Sequence, residues 1–252
     1  MDIGKVYLSE IFSAIQGEGP LVGVRQIFVR FSVCDLRCVW CDTPESLIRN
    51  KFCNVETKAG SRQFNKILNP ISIVDIVSFI ETLNPKVHHS VSFTGGEPLL
   101  QSEIFPELVN LIKDKFSLKI YLETGGHRPD KLINIIDCLD FISMDFKLPS
   151  SANAGEFWEK HQEFLKLAVM KRKKIWVKAV VTKDTVLEDL SYAAQILNSV
   201  DKEIEIFLQP VTQIENCLPP DEKQLLEMQE FVLNQYKNVR VLPQVHRLIG
   251  QK

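Results

Sequence analysis

Apolar and polar positions along this chain switch repeatedly between a period of two and a period near 3.6. Residues 26–32 (Q-I-F-V-R-F-S) are rich in β-branched and aromatic side chains and predict a strand. An amphipathic helix follows from Ser72, the predicted N-cap, with Asp75 three residues on and Ile73, Ile76, Val77, Ile80 and Leu83 on one face. The same alternation predicts strands at 90–94, 119–123, 141–145, 175–181, 204–208 and 239–242. Helices are predicted at 103–115, 130–139, 156–172, 187–199 and 222–236. Between 48 and 70 the chain is polar with little period and reads as an insertion.

Strand–helix pairs repeated in this way imply an α/β fold, a parallel sheet with helices outside it. Eight such pairs typically fill about 250 residues, so about six β/α units plus an N-terminal segment and an insertion predict an incomplete parallel β/α barrel. A doubly wound open sheet is the alternative. Either arrangement gathers ligands at the carboxyl ends of the strands. No repeat of fixed period and no low-complexity linker divides the chain, so 1–252 is expected to form one barrel domain carrying the insertion at 48–70.

Composition narrows the function classes. The chain is 45% hydrophobic and 25% charged with a formal net charge of −2, ordinary for a globular protein. Charge therefore gives no reason to expect nucleic acid or a membrane surface as partner. The basic run Lys171-Arg172-Lys173-Lys174 reads as a solvated helix end. The first ten residues show no apolar signal core, and no stretch reaches the roughly 18 apolar residues of a membrane span, so a cytoplasmic location is expected. Six cysteines in a chain of this length without a signal point to metal or redox chemistry rather than disulfides.

Three of those cysteines carry the strongest signal. Cys34, Cys38 and Cys41 are spaced C-x3-C-x2-C directly after the strand at 26–32. Three thiolates leave a tetrahedral structural zinc site one ligand short. They suit a 4Fe–4S cluster with one iron open to a cofactor or substrate. Zinc with a distant fourth ligand is the competing reading of the spacing. Trp40 stands before the third cysteine, where an aromatic ring can flank an adenine. A second element is Thr94-Gly95-Gly96-Glu97-Pro98, at the end of the next strand.

Together the cysteine loop and the Gly-Gly-Glu-Pro turn resemble the radical S-adenosylmethionine superfamily. Three more stretches narrow the resemblance to the 7-carboxy-7-deazaguanine synthases over nearly the whole chain. They are Ser9 through Gly19 (S-E-I-F-S-A-I-Q-G-E-G), Phe28-Val29-Arg30 running on to Asp42-Thr43, and Val239 through His246 (V-R-V-L-P-Q-V-H). The resemblance implies that Ile15, Gln16, Gly17, Arg30, Thr94, Gln244 and His246 bind substrate. It implies Mg2+ at Thr43 and the cluster on Cys34, Cys38 and Cys41. It also implies a pocket for S-adenosylmethionine built by Trp40, Gly96, Glu97, Glu123, Ser143, Met144, Asp145 and Gln209; Glu123 would bind ribose or position substrate. Read without the family, Gln16-Gly17 is a strand leading into a glycine turn, Thr43 a helix N-cap and His246 a structural histidine. The sequence departs from the family at Val33, where glycine usually precedes the first cluster cysteine; a valine there resists positive φ. Cys138 is expected in the core, Cys53 in the insertion near the cluster with no assigned role, and Cys217 matches no motif.

The implied reaction is radical ring contraction of 6-carboxy-5,6,7,8-tetrahydropterin to 7-carboxy-7-deazaguanine with loss of ammonia, in queuosine or other deazapurine biosynthesis. The expected partners are the pterin, a one-electron donor such as flavodoxin or ferredoxin, and a second copy of the chain in a homodimer. Two rivals remain at this point: a glycyl-radical-enzyme activase with the same cysteine spacing, and an iron–sulfur protein without turnover.

Overall fold

A computed structural model describes residues 4–214 and 217–251. In chain order the strands are β1 (Lys5–Val6), β2 (Leu8–Ile15), β3 (Arg25–Phe31), β4 (Phe52–Glu56), β5 (Phe64–Leu68), β6 (Ile71–Ser72), β7 (Ser90–Gly95), β8 (Lys119–Thr124), β9 (Phe141–Phe146), β10 (Lys174–Val181), β11 (Ile206–Pro210) and β12 (Val239–Val241). The helices are α1 (Ile73–Thr82), α2 (Phe105–Phe116), α3 (Pro129–Leu132), α4 (Pro149–Ala152), α5 (Trp158–Met170), α6 (Leu187–Val200), α7 (Glu222–Leu233) and α8 (Val245–Leu248).

One sheet runs in the order β12-β11-β10-β9-β8-β7-β3-β2-β4-β5. Strands β3, β7, β8, β9, β10, β11 and β12 are mutually parallel, with helices between them, as the alternating pattern requires. β12 and β5 are the two ends of that order, so the sheet is an incomplete barrel rather than a closed one. β2 lies antiparallel to β3 with Ile15 opposite Arg25, so the loop after Ile15 leaves from the end of the sheet where the parallel strands begin, and from there Gln16 and Glu18 reach Glu123 and Lys178. Helix α1 begins where the sequence places it: the Ser72 hydroxyl accepts from the Asp75 backbone N–H. Among the described residues no helix is long and apolar enough to cross a membrane.

The polar stretch at 48–70 differs from its reading as an irregular insertion. It holds the hairpin β4–β5, which extends the sheet past β2. Only Cys53 and Val55 of β4 alternate into the core, too short a signal to stand out. Cys53 is fully buried there, and burial pushes its thiol up to about 12. It is a core residue and not part of the cysteine loop. The predicted helix at 130–139 also changes form. It breaks after α3 into turns because Ile135 is non-helical (φ −130°, ψ −3°), while Leu132, Ile135, Ile136 and Leu139 still bury their side chains. Short helical and 3₁₀ turns satisfy the same apolar spacing, so the period alone does not choose between them. Cys138, at the end of that segment, packs half-buried against the core.

Inward-facing side chains on the parallel strands form two levels. Tyr121, Phe141, Trp176 and Phe207 pack as an aromatic floor. Two residues further along their strands stand Glu123, Ser143, Lys178 and Gln209, which are polar and open on a cavity above. The polar groups stand above the aromatic floor and face the cavity, while the opposite strand faces bury Leu122, Ile142, Val177 and Leu208 in the main core.

Candidate active site

The cavity above the floor has a volume of about 270 Å³. Cys34, Cys38, Trp40, Cys41 and Thr43 line it from the loop after β3. Gly96 and Glu97 line it from the turn after β7, and Ile15, Gln16 and Gly17 from the loop after β2. Arg30, Thr94, Glu123, Ser143, Asp145 and Gln209 reach it from strand ends, and Gln244 and His246 from the C-terminal segment. Met144 is the exception among the expected residues. Strand alternation turns its side chain to the opposite face, where it is fully buried against Gly126. The sequence reading missed Glu18, Asp42, Lys147, Lys178 and Arg247, which also line the cavity.

The cysteine loop and the glycine turn are pressed together. Glu97 N–H donates to the Val33 carbonyl at 2.9 Å, and Gly96 N–H to the Phe31 carbonyl at 2.9 Å. A Cβ on Gly96 would collide with the Val33 carbonyl and lie 2.6 Å from that of Ser46, so only glycine permits the approach. Val33 itself has φ +79°, a left-handed conformation that a β-branched residue resists. Relieving a strain of about 1–2 kcal/mol outweighs the roughly 0.5–1 kcal/mol that glycine's flexibility costs. Val33→Gly should therefore raise the thermal midpoint by a few degrees in a melting curve, and a fall would show that the valine side chain contributes more by packing than it loses by strain.

Cys34, Cys38 and Cys41 are free thiols and half-buried. Burial pushes the Cys34 thiol up to about 11, and that of Cys38 upward, so a metal that binds here must displace protons. Among the described residues no three histidine, cysteine or acidic side chains gather round one point as a single metal ion requires. A four-iron cluster takes its thiolates one to each iron and so spreads them apart. Two buried polar atoms beside this loop, Trp40 Nε1 and Asp145 Oδ1, lack hydrogen-bond partners, as expected where a polar ligand binds. The three-thiolate set, the glycine cradle and these orphaned atoms fit a cluster together with its cofactor.

Across the cavity from the cysteines is a polar network. Glu123 accepts from Thr94 Oγ1 at 2.7 Å and from Gln16 Nε2 at 2.9 Å. Burial and the neighbouring charge of Glu18 raise the Glu123 carboxyl above its ordinary value. Lys178 donates to Glu18 at 2.6 Å and lies 3.7 Å from Asp145, which also accepts from Lys147 at 2.9 Å. Burial alone would raise Glu18, but Lys178 overcomes it and, with Gln244, holds the carboxyl at about 2. The Lys147 ammonium sits 4.3 Å above the Trp40 ring. Arg30 is oriented by Glu10, which accepts from its Nε at 3.3 Å.

The C-terminal segment crosses the mouth. Val245 N–H donates to the Gly17 carbonyl at 3.0 Å, and His246 lies so close that a Cβ on Gly17 would strike it. Gln244 and Arg247 reach Asp42, beside Cys41, at 3.2 and 3.1 Å. Of the tail residues 249–252, Lys252 lies outside the described residues.

Comparison with known proteins agrees with this geometry. The Radical SAM superfamily profile matches residues 28–195. The 7-carboxy-7-deazaguanine synthase of Geobacter sulfurreducens is 37% identical over 97% of this chain and 97% of its own. That of Methanocaldococcus jannaschii is 32% identical over 96% of this chain and 99% of its own. The crystal structure of QueE from Escherichia coli superposes with a TM-score of 0.62, covering 95% of this chain and 94% of that one at 19% identity, which supports the same fold. With a cysteine loop, a glycine turn and a polar cavity arranged as a radical S-adenosylmethionine enzyme requires, and with relatives matching from end to end, the chain belongs to the 7-carboxy-7-deazaguanine synthase family.

Proposed function

We propose that the substrate is 6-carboxy-5,6,7,8-tetrahydropterin, converted to 7-carboxy-7-deazaguanine and ammonia for queuosine or a related deazapurine. The observation that carries this reading is the set Gln16, Thr94 and Glu123, joined by hydrogen bonds on one wall of the cavity that the cysteine loop closes from another. The two Glu123 oxygens keep lone pairs beyond those used by Thr94 and Gln16, and these suit the N–H edge of an aminopyrimidine ring. On this reading Glu123 serves the substrate rather than the cofactor. Arg30 offers a planar donor fork to the substrate carboxylate. Ser143, Asp145 and Gln209 face the S-adenosylmethionine side, and Gln244 and His246 cover the site and exclude water.

The cluster belongs on Cys34, Cys38 and Cys41. When bound there, the cluster would supply the electron for radical chemistry with S-adenosylmethionine, directed at the C6 hydrogen of the pterin. The residues of the chain bind and orient the two ligands so that this hydrogen faces the cofactor, and a pocket built around a carboxylate and a pyrimidine edge leaves buried groups unpaired when either is missing. A low-potential donor of the flavodoxin or ferredoxin type, a homodimer and a cytoplasmic location complete the proposal.

Thr43 is the proposed Mg2+ contact. It precedes the short helical turn Pro44–Leu47, yet its side chain makes no capping bond, which leaves the hydroxyl for the cavity. A hydroxyl with waters and a substrate carboxylate suits a hard cation. Thr43→Ala should raise the Mg2+ concentration for half-maximal rate several-fold with iron content unchanged. An identical Mg2+ dependence in parent and variant would reduce Thr43 to a backbone position.

The substrate assignment is tested with anaerobically reconstituted protein, reductant, S-adenosylmethionine and Mg2+. Carboxytetrahydropterin should yield 7-carboxy-7-deazaguanine, and Arg30→Ala should lose most of that rate while keeping its cluster. A cluster-loaded protein that ignores the pterin but installs a glycyl radical on a partner enzyme would overturn the assignment.

A further inference from the structure

Behind the cysteine loop, away from the substrate wall, Asp35 is held by three hydrogen bonds. His127 Nε2 lies 2.8 Å from its Oδ1, and Arg128 donates to Oδ2 from Nε at 3.1 Å and from Nη2 at 2.6 Å. Asp35 directly follows Cys34, and both basic residues stand just past the glycines that end β8. The loop has backbone ties on either side of this residue, Glu97 N–H to the Val33 carbonyl at 2.9 Å, Cys34 N–H to the Leu47 carbonyl at 3.3 Å and Val39 N–H to that of Ala152 at 3.1 Å, and Gln244 and Arg247 reach Asp42 at its far end. Asp35 adds a side-chain attachment, next to the first cysteine, to the segment after β8.

His127 is 3% exposed, and its ring packs 5.4 Å from that of Phe157. Its other nitrogen, Nδ1, has no hydrogen-bond partner and lies 3.9 Å from Glu97 Oε2. An unpaired buried ring nitrogen costs about 1–3 kcal/mol, and such groups in a native structure call for a reason. Glu97 is itself pinned: it accepts from Leu99 N–H at 3.1 Å, Thr124 Oγ1 at 2.8 Å and Gly125 N–H at 2.9 Å. The histidine thus stands between the carboxylate of the glycine turn and the carboxylate beside the first cysteine. A shift of roughly 1 Å in the turn brings Nδ1 and Glu97 to hydrogen-bonding distance.

We infer that His127 is a positioning residue that ties the cysteine loop, through Asp35, to the segment after β8, whose Thr124 and Gly125 hold Glu97, so that the cluster and the cofactor turn keep one fixed separation. It touches neither substrate nor reacting atoms and acts through Asp35. The inference needs the cluster and S-adenosylmethionine but no substrate, so it stands or falls apart from the pterin reading.

The test compares reconstituted parent, His127→Ala and His127→Gln. Two readouts are taken without substrate: iron release to a chelator, and the S-adenosylmethionine concentration that converts the electron paramagnetic resonance signal of the reduced cluster. Groups hydrogen-bonded directly to metal ligands are typically worth about 10–100-fold in metal affinity, and His127 acts one step further out through Asp35, so His127→Ala should speed iron release and raise that concentration at the low end of that range, about tenfold. His127→Gln, which keeps an amide donor for Asp35, should recover most of both. Parent-like values in His127→Ala would overturn the inference. So would two variants that fall equally in melting temperature and iron retention, since that marks a packing role alone. Should His127→Ala fail to fold, Asp35→Asn, which removes the charge that binds Arg128 and His127, decides the matter, and a parent-like titration in it overturns the inference.

Discussion

Replacing any one of Cys34, Cys38 and Cys41 with Ala should remove the visible absorption of the cluster and all radical chemistry, the largest loss expected of any single change in this chain. On the proposed assignment each thiolate would take a different iron, and among the described residues no other cysteine lines the cavity to stand in for a lost one. Cys53 is buried in the core of the β4–β5 hairpin, and Cys138 packs at the end of the short turn Ile136–Cys138. Cys138→Ala should therefore keep full iron content and cost only stability. Iron and sulfide analysis of the reconstituted variants decides the assignment. A triple variant that still holds four irons would show that the loop is not the cluster site.

The parts of this architecture that were legible in the sequence were those with a period or a spacing. Seven parallel strands and most of their helices announced themselves by alternation, and Cys34, Cys38 and Cys41 with Gly95-Gly96-Glu97 by their fixed intervals after two strands. What escaped notice had neither. Glu18 and Lys178 stand 160 residues apart and meet only because β2 folds back beside β3 and its loop passes against Trp176 and Lys178 of β10. A signal for Lys178 did exist: beyond Lys174 at its start, β10 is apolar except for this one charge, which stands between Trp176 and Val180. A charge there must be paired or functional, since parallel strands are buried on both faces. His127 carried no motif at all, and its place behind Cys34 is set by the turn after β8. The hairpin was missed because two buried residues make no convincing alternation. Val33 was read correctly as a conflict between valine and positive φ, and the fold keeps that conflict rather than avoiding it.

Lys178→Met should destabilise the protein by about 3–5 kcal/mol at neutral pH, the range for removing one partner from a buried ion pair. The ammonium serves Glu18, with Asp145 and Glu123 close by, and Lys147, His246 and Gln244 complete the surroundings. Both side chains of the pair are largely buried, Lys178 at 18% exposure and Glu18 at 11%, so water replaces little of the lost interaction. The pH dependence follows from the direction of each shift. In the parent, Glu18 is held at about 2 against an ordinary value of 4.5. Its contribution is fully present above about pH 4.5 and is lost as the pH falls toward 2. In the variant the hydrogen bonds from Gln209 and Gln244 remain, but burial, the largest influence, is no longer offset by the Lys178 ammonium and raises the carboxyl. The sign then reverses: the variant gains from protonating Glu18 and is penalised once the pH exceeds the unfolded value. The gap in melting temperature between parent and variant should therefore be widest near pH 7 and narrow steadily toward pH 4. A gap that stays constant across that range would mean that Lys178 contributes by packing its methylene stem, with no electrostatic hold on Glu18.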